Sequence, residues 1–148
     1  MWNQNGYFWE SKSVHKWAED RLKGIFNDFQ MQTNAGLFSV VKVEKFKGEA
    51  SCNIRKGKKL VAYDYEVNLN WQVVMKDGDG KVVDTVKGDM HWPDISNTCE
   101  EDGDEFEANL ILTEGEKHRD RVYPAIKGKV IGDMRAEIVK FVRELRDK

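Results

Sequence analysis

The sequence predicts an α+β fold: an N-terminal helix, a four- to five-stranded antiparallel meander, and a long C-terminal helix packed on one face of the sheet. Two observations carry this. Apolar residues recur at helical spacing over 13–29 and again over 130–145, and the region between them alternates apolar with polar residues. Helical patterns segregated to the two ends of a run of strands, instead of interleaved with them, mark α+β architecture.

The first helix is read from Val14, Trp17, Ala18, Leu22, Ile25, Phe26 and Phe29, at three- and four-residue steps, while His15, Glu19, Asp20 and Lys23 face elsewhere. Ser13 is placed as its N-cap, because a hydroxyl there can accept an orphan amide proton of the first turn. Asn3, Asn5 and Gly6 favour turns, so residues 1–12 are expected to be irregular. "TNAG" at 33–36 breaks the chain. Strands are expected at 37–46 and 49–54, on either side of Gly48.

The clearest strand is 60–75, with Tyr63, Tyr65, Val67, Leu69, Trp71 and Val73 on one face and Asp64, Glu66, Asn68, Asn70 and Gln72 on the other. A period of two with one wet face is the mark of an antiparallel strand. "DGDG" at 77–80 is a hairpin turn, since Asp and Gly tolerate positive φ. Strands return over 81–92 and 105–113. Val130, Ile131, Met134, Ile138, Phe141, Val142 and Leu145 then form the stripe of the terminal helix. Pro124 lacks an amide proton, so that helix is expected to start near it. Gly128 and Gly132 each weaken its first portion by roughly 1 kcal/mol relative to Ala.

A chain of 148 residues fits one domain, 1–148, with enough length to bury a core. Forty per cent hydrophobic and 34% charged residues indicate a globular chain with a polar surface. No 18-residue apolar run or secretory signal is present, which points to a reducing, cytoplasmic setting. Cys52 falls on the apolar phase of a strand and is expected to be a small core residue; with Cys99 it makes no disulfide framework.

Catalytic and metal motifs find little support. His15, His91 and His118 are far apart, with no further ligand at zinc spacing. "DGDGKVVDTVKG" begins like a calcium loop, but Val82 stands where the sharp turn needs Gly and Gly88 where closure needs a bidentate Glu. No phosphate-cradling Gly-Lys-Ser/Thr loop and no Gly-x-Ser-x-Gly elbow occurs. The expectation is a binding module with no cofactor, metal or catalysis of its own.

Charge is more informative. Residues 42–59 carry seven cations, ending in the "RKGKK" of 55–59, against Glu44 and Glu49, while 99–107 carry six acids and no base. The acidic run is read as a solvated loop. A dipolar surface suits a charged protein partner, because complementary potentials steer encounter and fix register. A net charge of −2 argues against nucleic acid. Trp2, Tyr7, Phe8 and Trp9 crowd the N-terminus, where Trp9 is expected to pack on the core.

Two stretches carry a family resemblance. "NQNGYFWE" (3–10) resembles Asn-x-Asn-x-Trp-His-Trp-Glu-Glu, matching at Asn3, Asn5, Trp9 and Glu10. "GEASCNIRKGK" (48–58) resembles Gly-Glu-Ala-Ser-x-Asn-x-Arg-Lys-Gly-Lys, matching at every specified position. Both motifs are similar to those of the N-terminal domain of the activator of the heat-shock protein 90 ATPase, a cochaperone family. The resemblance continues through "YDYEVNLNW" and follows the element order of nearly the whole chain. It implies a domain, monomeric when free, that binds the middle segment of the dimeric chaperone and helps its catalytic loop reach the ATP-hydrolysing arrangement. It places Arg55, Lys56 and Lys58 against that segment, with Lys59 as an added cation, and gives Asn3, Asn5, Trp9 and Glu10 a regulatory role. It brings no cofactor, nucleic acid or membrane. Two rivals remain: a helix-grip-like carrier of a small apolar ligand, whose cavity Tyr63, Tyr65 and Trp71 would line, and a single-strand nucleic-acid binder.

Overall fold

In the computed structural model, which describes residues 4–147 apart from the side chains of 4–13, 55 and 59, the elements run in the expected order. Helix α1 (Gln4–Asn27) is followed by strands β1 (Gln30–Thr33), β2 (Gly36–Arg55), β3 (Lys58–Lys76) and β4 (Val82–Ser96). A short helix α2 (Asn97–Glu101) leads to β5 (Asn109–Glu114), and α3 (Arg119–Ala125), a π-helical turn (Ile126–Val130) and α4 (Ile131–Arg146) complete the chain. The five strands lie in sequence order, each antiparallel to the next.

Helix α1 starts at Gln4, so Ser13 lies inside it and is not its N-cap. Once a first turn exists, each further residue adds a hydrogen bond at little cost, and Asn5 and Gly6 are only weakly unfavourable interruptions. The two strands expected on either side of Gly48 are one 20-residue strand, β2. The acidic stretch is not wholly loop. Ser96 caps α2 by accepting the Cys99 amide at 3.2 Å, and Glu100 accepts from Tyr63 and from the Arg146 guanidinium. Glu105 pairs with Arg135 on α4. Pro124 sits within α3 and does not start it. Its missing amide leaves the carbonyl four residues earlier without that donor, and the wider π-helical turn follows at once.

The predicted apolar face of β3 is the core: Tyr63, Tyr65, Val67, Leu69, Trp71 and Val73 are all at most 2% exposed. The helices cover this face. Phe141 of α4 stacks on Trp17 of α1 and meets the Tyr65 ring edge-on, and Arg21 bonds Glu144 at 2.9 Å to tie the two helices together. Trp71 reaches across β4, where Gly88 makes room; a Cβ at Gly88 would lie 2.4 Å from the indole. The indole N–H donates to the Asp89 carbonyl at 3.0 Å, so this large side chain is buried without an orphan donor.

Candidate protein-binding hairpin

Strands β2 and β3 outrun their neighbours. The β4 ladder ends at Asp64↔Ser96, and the next free amide, that of Tyr63, donates to the Asn97 side chain at 3.2 Å. Beyond that point β2 and β3 pair only with each other, from Ser51↔Ala62 to Arg55↔Lys58. At about 3.3 Å per residue this two-stranded ribbon reaches some 15 Å past the body of the sheet. Such a ribbon is marginal by itself. Its root is held by Ala50, Cys52 and Tyr63, which are buried in the core.

At the tip, Lys56 has φ 53° and Gly57 φ 77°. Positive φ at both central residues of a two-residue loop is a type I′ turn, whose twist matches that of the strands it joins. Gly57 adopts this freely, whereas Lys56 takes it at a conformational cost. Lys56 and Lys58 are exposed, and neither forms an ion pair among the described residues. The backbone brings Arg55 opposite Lys58 and Lys59 opposite Ile54. The side chains of Arg55 and Lys59 lie outside the described residues.

Sequence reading missed the apolar part of this tip. Ile54 shares the core phase with Ala50 and Cys52 yet is 62% exposed, and Leu60, on the opposite face, is 48% exposed. The alternation is intact; the ribbon has run past β4, the strand beside it, whose ladder ends at Asp64↔Ser96. The missed signal was the length of β3 relative to the strands beside it.

Of the N-terminal motif, Asn3 lies outside the described residues, as do the side chains of Asn5, Trp9 and Glu10; the backbone of these last three is in α1. The motif and the hairpin are therefore not brought together by any described side-chain contact. The aromatics that a ligand carrier would use, Tyr63, Tyr65 and Trp71, contact other rings: Phe106, Phe46, Phe141 and Phe38. A pocket of about 280 Å³ lies at the opposite end of the sheet from the tip, lined by the β1–β2 turn, Met75, Asp84, His118 and Arg121. Among the described residues no group of three His, Cys, Asp or Glu side chains could hold a metal, and no helix is long and apolar enough to cross a membrane.

Residues 11–148 match the family described as activator of Hsp90 ATPase, N-terminal. The chain is 32% identical over 142 residues to the human activator of 90 kDa heat shock protein ATPase homolog 1, covering 96% of this chain and 37% of that protein. It is 26% identical over 128 residues to the bovine homolog 2, covering 86% of this chain and 48% of that protein. The chain thus spans less than half the length of these relatives. The solution structure of the human Aha1 N-terminal domain superposes with a TM-score of 0.64 at 27% identity, over 90% of this chain and 96% of that one. A crystal structure of Aha-1 from Plasmodium falciparum shares the fold, with a TM-score of 0.68 at 20% identity, over 88% of this chain and 83% of that one.

Proposed function

Because the chain belongs to the activator of Hsp90 ATPase family, as its N-terminal domain, we propose that it is a cochaperone module that binds the middle segment of the Hsp90 chaperone and stimulates its ATPase. Residues 1–148 act as one domain, monomeric when free, in the cytoplasm. The relatives are named as activators of another protein's ATPase, which makes them regulators. Arg55, Lys56, Lys58 and Lys59 supply the contact, and they promote the active arrangement of the chaperone's catalytic loop. Asn3, Asn5, Trp9 and Glu10 contribute to regulation.

The observation that supports this reading best is the projecting type I′ hairpin. A short turn on two long strands presents Lys56 and Lys58 on a comparatively rigid base, so less side-chain and loop freedom is lost on docking than from a flexible loop. Gly57 has no atom within 4 Å of where a Cβ would be, so the backbone there is open to close approach by a partner. Ile54 and Leu60 add apolar surface on both sides of the charge, the combination from which a desolvated contact is built.

Titrating the Hsp90 middle segment with this domain at low and high ionic strength tests the reading. Binding whose association rate falls as salt rises is expected, because exposed cations are screened over roughly 10 Å at 0.1 M. No binding, or binding only to single-stranded oligonucleotides, would overturn it.

A further inference from the structure

We propose that the outer face of β2 extends the contact surface, with Lys42, Lys45 and Lys47 forming a cationic rail that docks on a carboxylate-rich surface of the same protein partner. The inference rests on the function proposed above and adds a second contact region to it.

Two irregularities in β2 build the rail. The β2–β3 register slips between Val40 and Lys42 and again between Val43 and Lys45. Strict alternation from the buried Phe38 would turn Lys42 toward the helices and Val43 toward solvent. The paired bulges exchange them: Val43 sits opposite the buried Leu69 and packs on the core, while Lys42 sits opposite Asn70 on the outer face. Lys45 opposite Asn68 and Lys47 opposite Glu66 continue the row. Their partners are two residues apart along β3, so successive lysines stand about 7 Å apart.

Acids beside the rail offset its charge only in part: Glu66, held below the usual carboxylate range chiefly by its His91 hydrogen bond, also feels the charges of Lys45 and Lys47. All three lysines are exposed, and none forms an ion pair among the described residues. Glu66, the acid facing Lys47, instead bonds His91 Nε2 at 2.7 Å. Farther along the same face come Glu49, Ser51 and Asn53, and the cross-strand positions 55 and 58 follow in the same register, whereas position 59 lies opposite Ile54 on the other face. Beyond Val40, whose amide donates to Phe29, this edge of β2 pairs with no other strand of the sheet. Lysines and bulges also guard free edges against unwanted strand pairing. Charge reversal separates the two roles, because glutamates guard an edge as well as lysines do but repel a carboxylate surface.

The test compares the parent with the triple variant Lys42→Glu, Lys45→Glu, Lys47→Glu, in rapid-mixing association with the Hsp90 middle segment, alongside melting and sedimentation of each protein. We expect the triple variant to associate roughly tenfold more slowly at low ionic strength, with the gap closing as salt is raised. It should stay monomeric and melt cooperatively, a little below the parent because Lys47→Glu sets a carboxylate opposite Glu66. Should the triple variant fail to fold, Lys45→Glu alone is expected to slow association roughly two- to threefold. A parent rate in the folded variant at low salt would overturn the rail and leave the lysines as edge guards. A parent that self-associates at low salt, with a triple variant that does not, would also overturn it, by making a second copy the occupant. A parent that does not bind the middle segment at all would instead refute the proposed function, and this inference with it.

Discussion

Replacing Gly48 with Ala should be among the most damaging single changes in this protein, and the structure says why. Gly48 lies on β2 directly opposite Tyr65, with φ 140°, a conformation L-residues rarely adopt. A Cβ there would fall 2.0 Å from the Asp64 carbonyl oxygen and 2.7 Å from both the Tyr65 Cα and the Tyr65 ring. Two of these three atoms are backbone, so no rotamer change relieves the clash and β2 must separate from β3. The disfavoured φ costs about 1–3 kcal/mol. With the forced displacement of the ladder the total reaches about 3–5 kcal/mol, the range of severe core lesions. For a domain of this size each kcal/mol lowers the melting temperature by about 2–4 °C, so a fall of roughly 6–20 °C is expected. Gly57→Ala is the control. Gly57 also has positive φ, but no atom lies within 4 Å of the added methyl, so only the conformational cost remains, about 1–2 kcal/mol. Thermal melts of the two variants beside the parent decide the matter. A Gly48→Ala protein melting within about 2 °C of the parent, or a Gly57→Ala protein that is the less stable of the two, would refute the reasoning.

Three further outcomes are expected. The Tyr65 hydroxyl is buried with no hydrogen-bond partner among the described residues, so Tyr65→Phe should leave stability unchanged or raise it by up to about 1 kcal/mol; Tyr63→Phe, which loses a bond to Glu100, should lower it by about 1 kcal/mol, and chemical denaturation of both would expose the opposite order. The hydrogen bond from His118, with smaller help from the Thr85 amide, holds the Asp84 carboxyl below the usual carboxylate range, so its stabilisation is present above the ordinary Asp pKa and is lost as pH falls through the lower folded value; His118→Ala should shift the acid-unfolding midpoint upward, and an unmoved midpoint would contradict this. Removing residues 1–9 should leave most thermal stability, because Val14, Ala18, Leu22, Ile25 and Phe26 anchor α1 in the core, while ATPase stimulation falls; loss of the cooperative melt would make the segment structural instead.

Much of this molecule was legible residue by residue. The alternation from Tyr63 to Val73 named the core strand, and the stripe from Val130 to Leu145 named the closing helix, because each periodicity is local. What stayed hidden depends on neighbours distant in sequence. The exchange of Lys42 with Val43 follows from bulges defined against β3, and the exposure of Ile54 from where β4 stops pairing. The clasp of Tyr63, Glu100 and Arg146 joins three elements that no window of sequence contains. Within the candidate site, the residue types of the hairpin were plain, whereas the left-handed conformation of Lys56 was not, since Asn or Gly is the usual occupant of that turn position.

The left-handed conformation of Lys56 makes a clean measurement possible. Lys56→Asn removes a charge while suiting the αL conformation better than Lys does, so the turn should persist, and Arg55→Ala removes the second charge. The steady-state ATPase rate of Hsp90 should therefore be measured alone, with the parent domain, and with the Arg55→Ala, Lys56→Asn double variant, each variant's melting temperature being taken alongside. The parent should raise turnover, and the double variant should lose most of that stimulation while melting like the parent. A parent that leaves turnover unchanged, or a double variant that stimulates as well as the parent, would contradict the account.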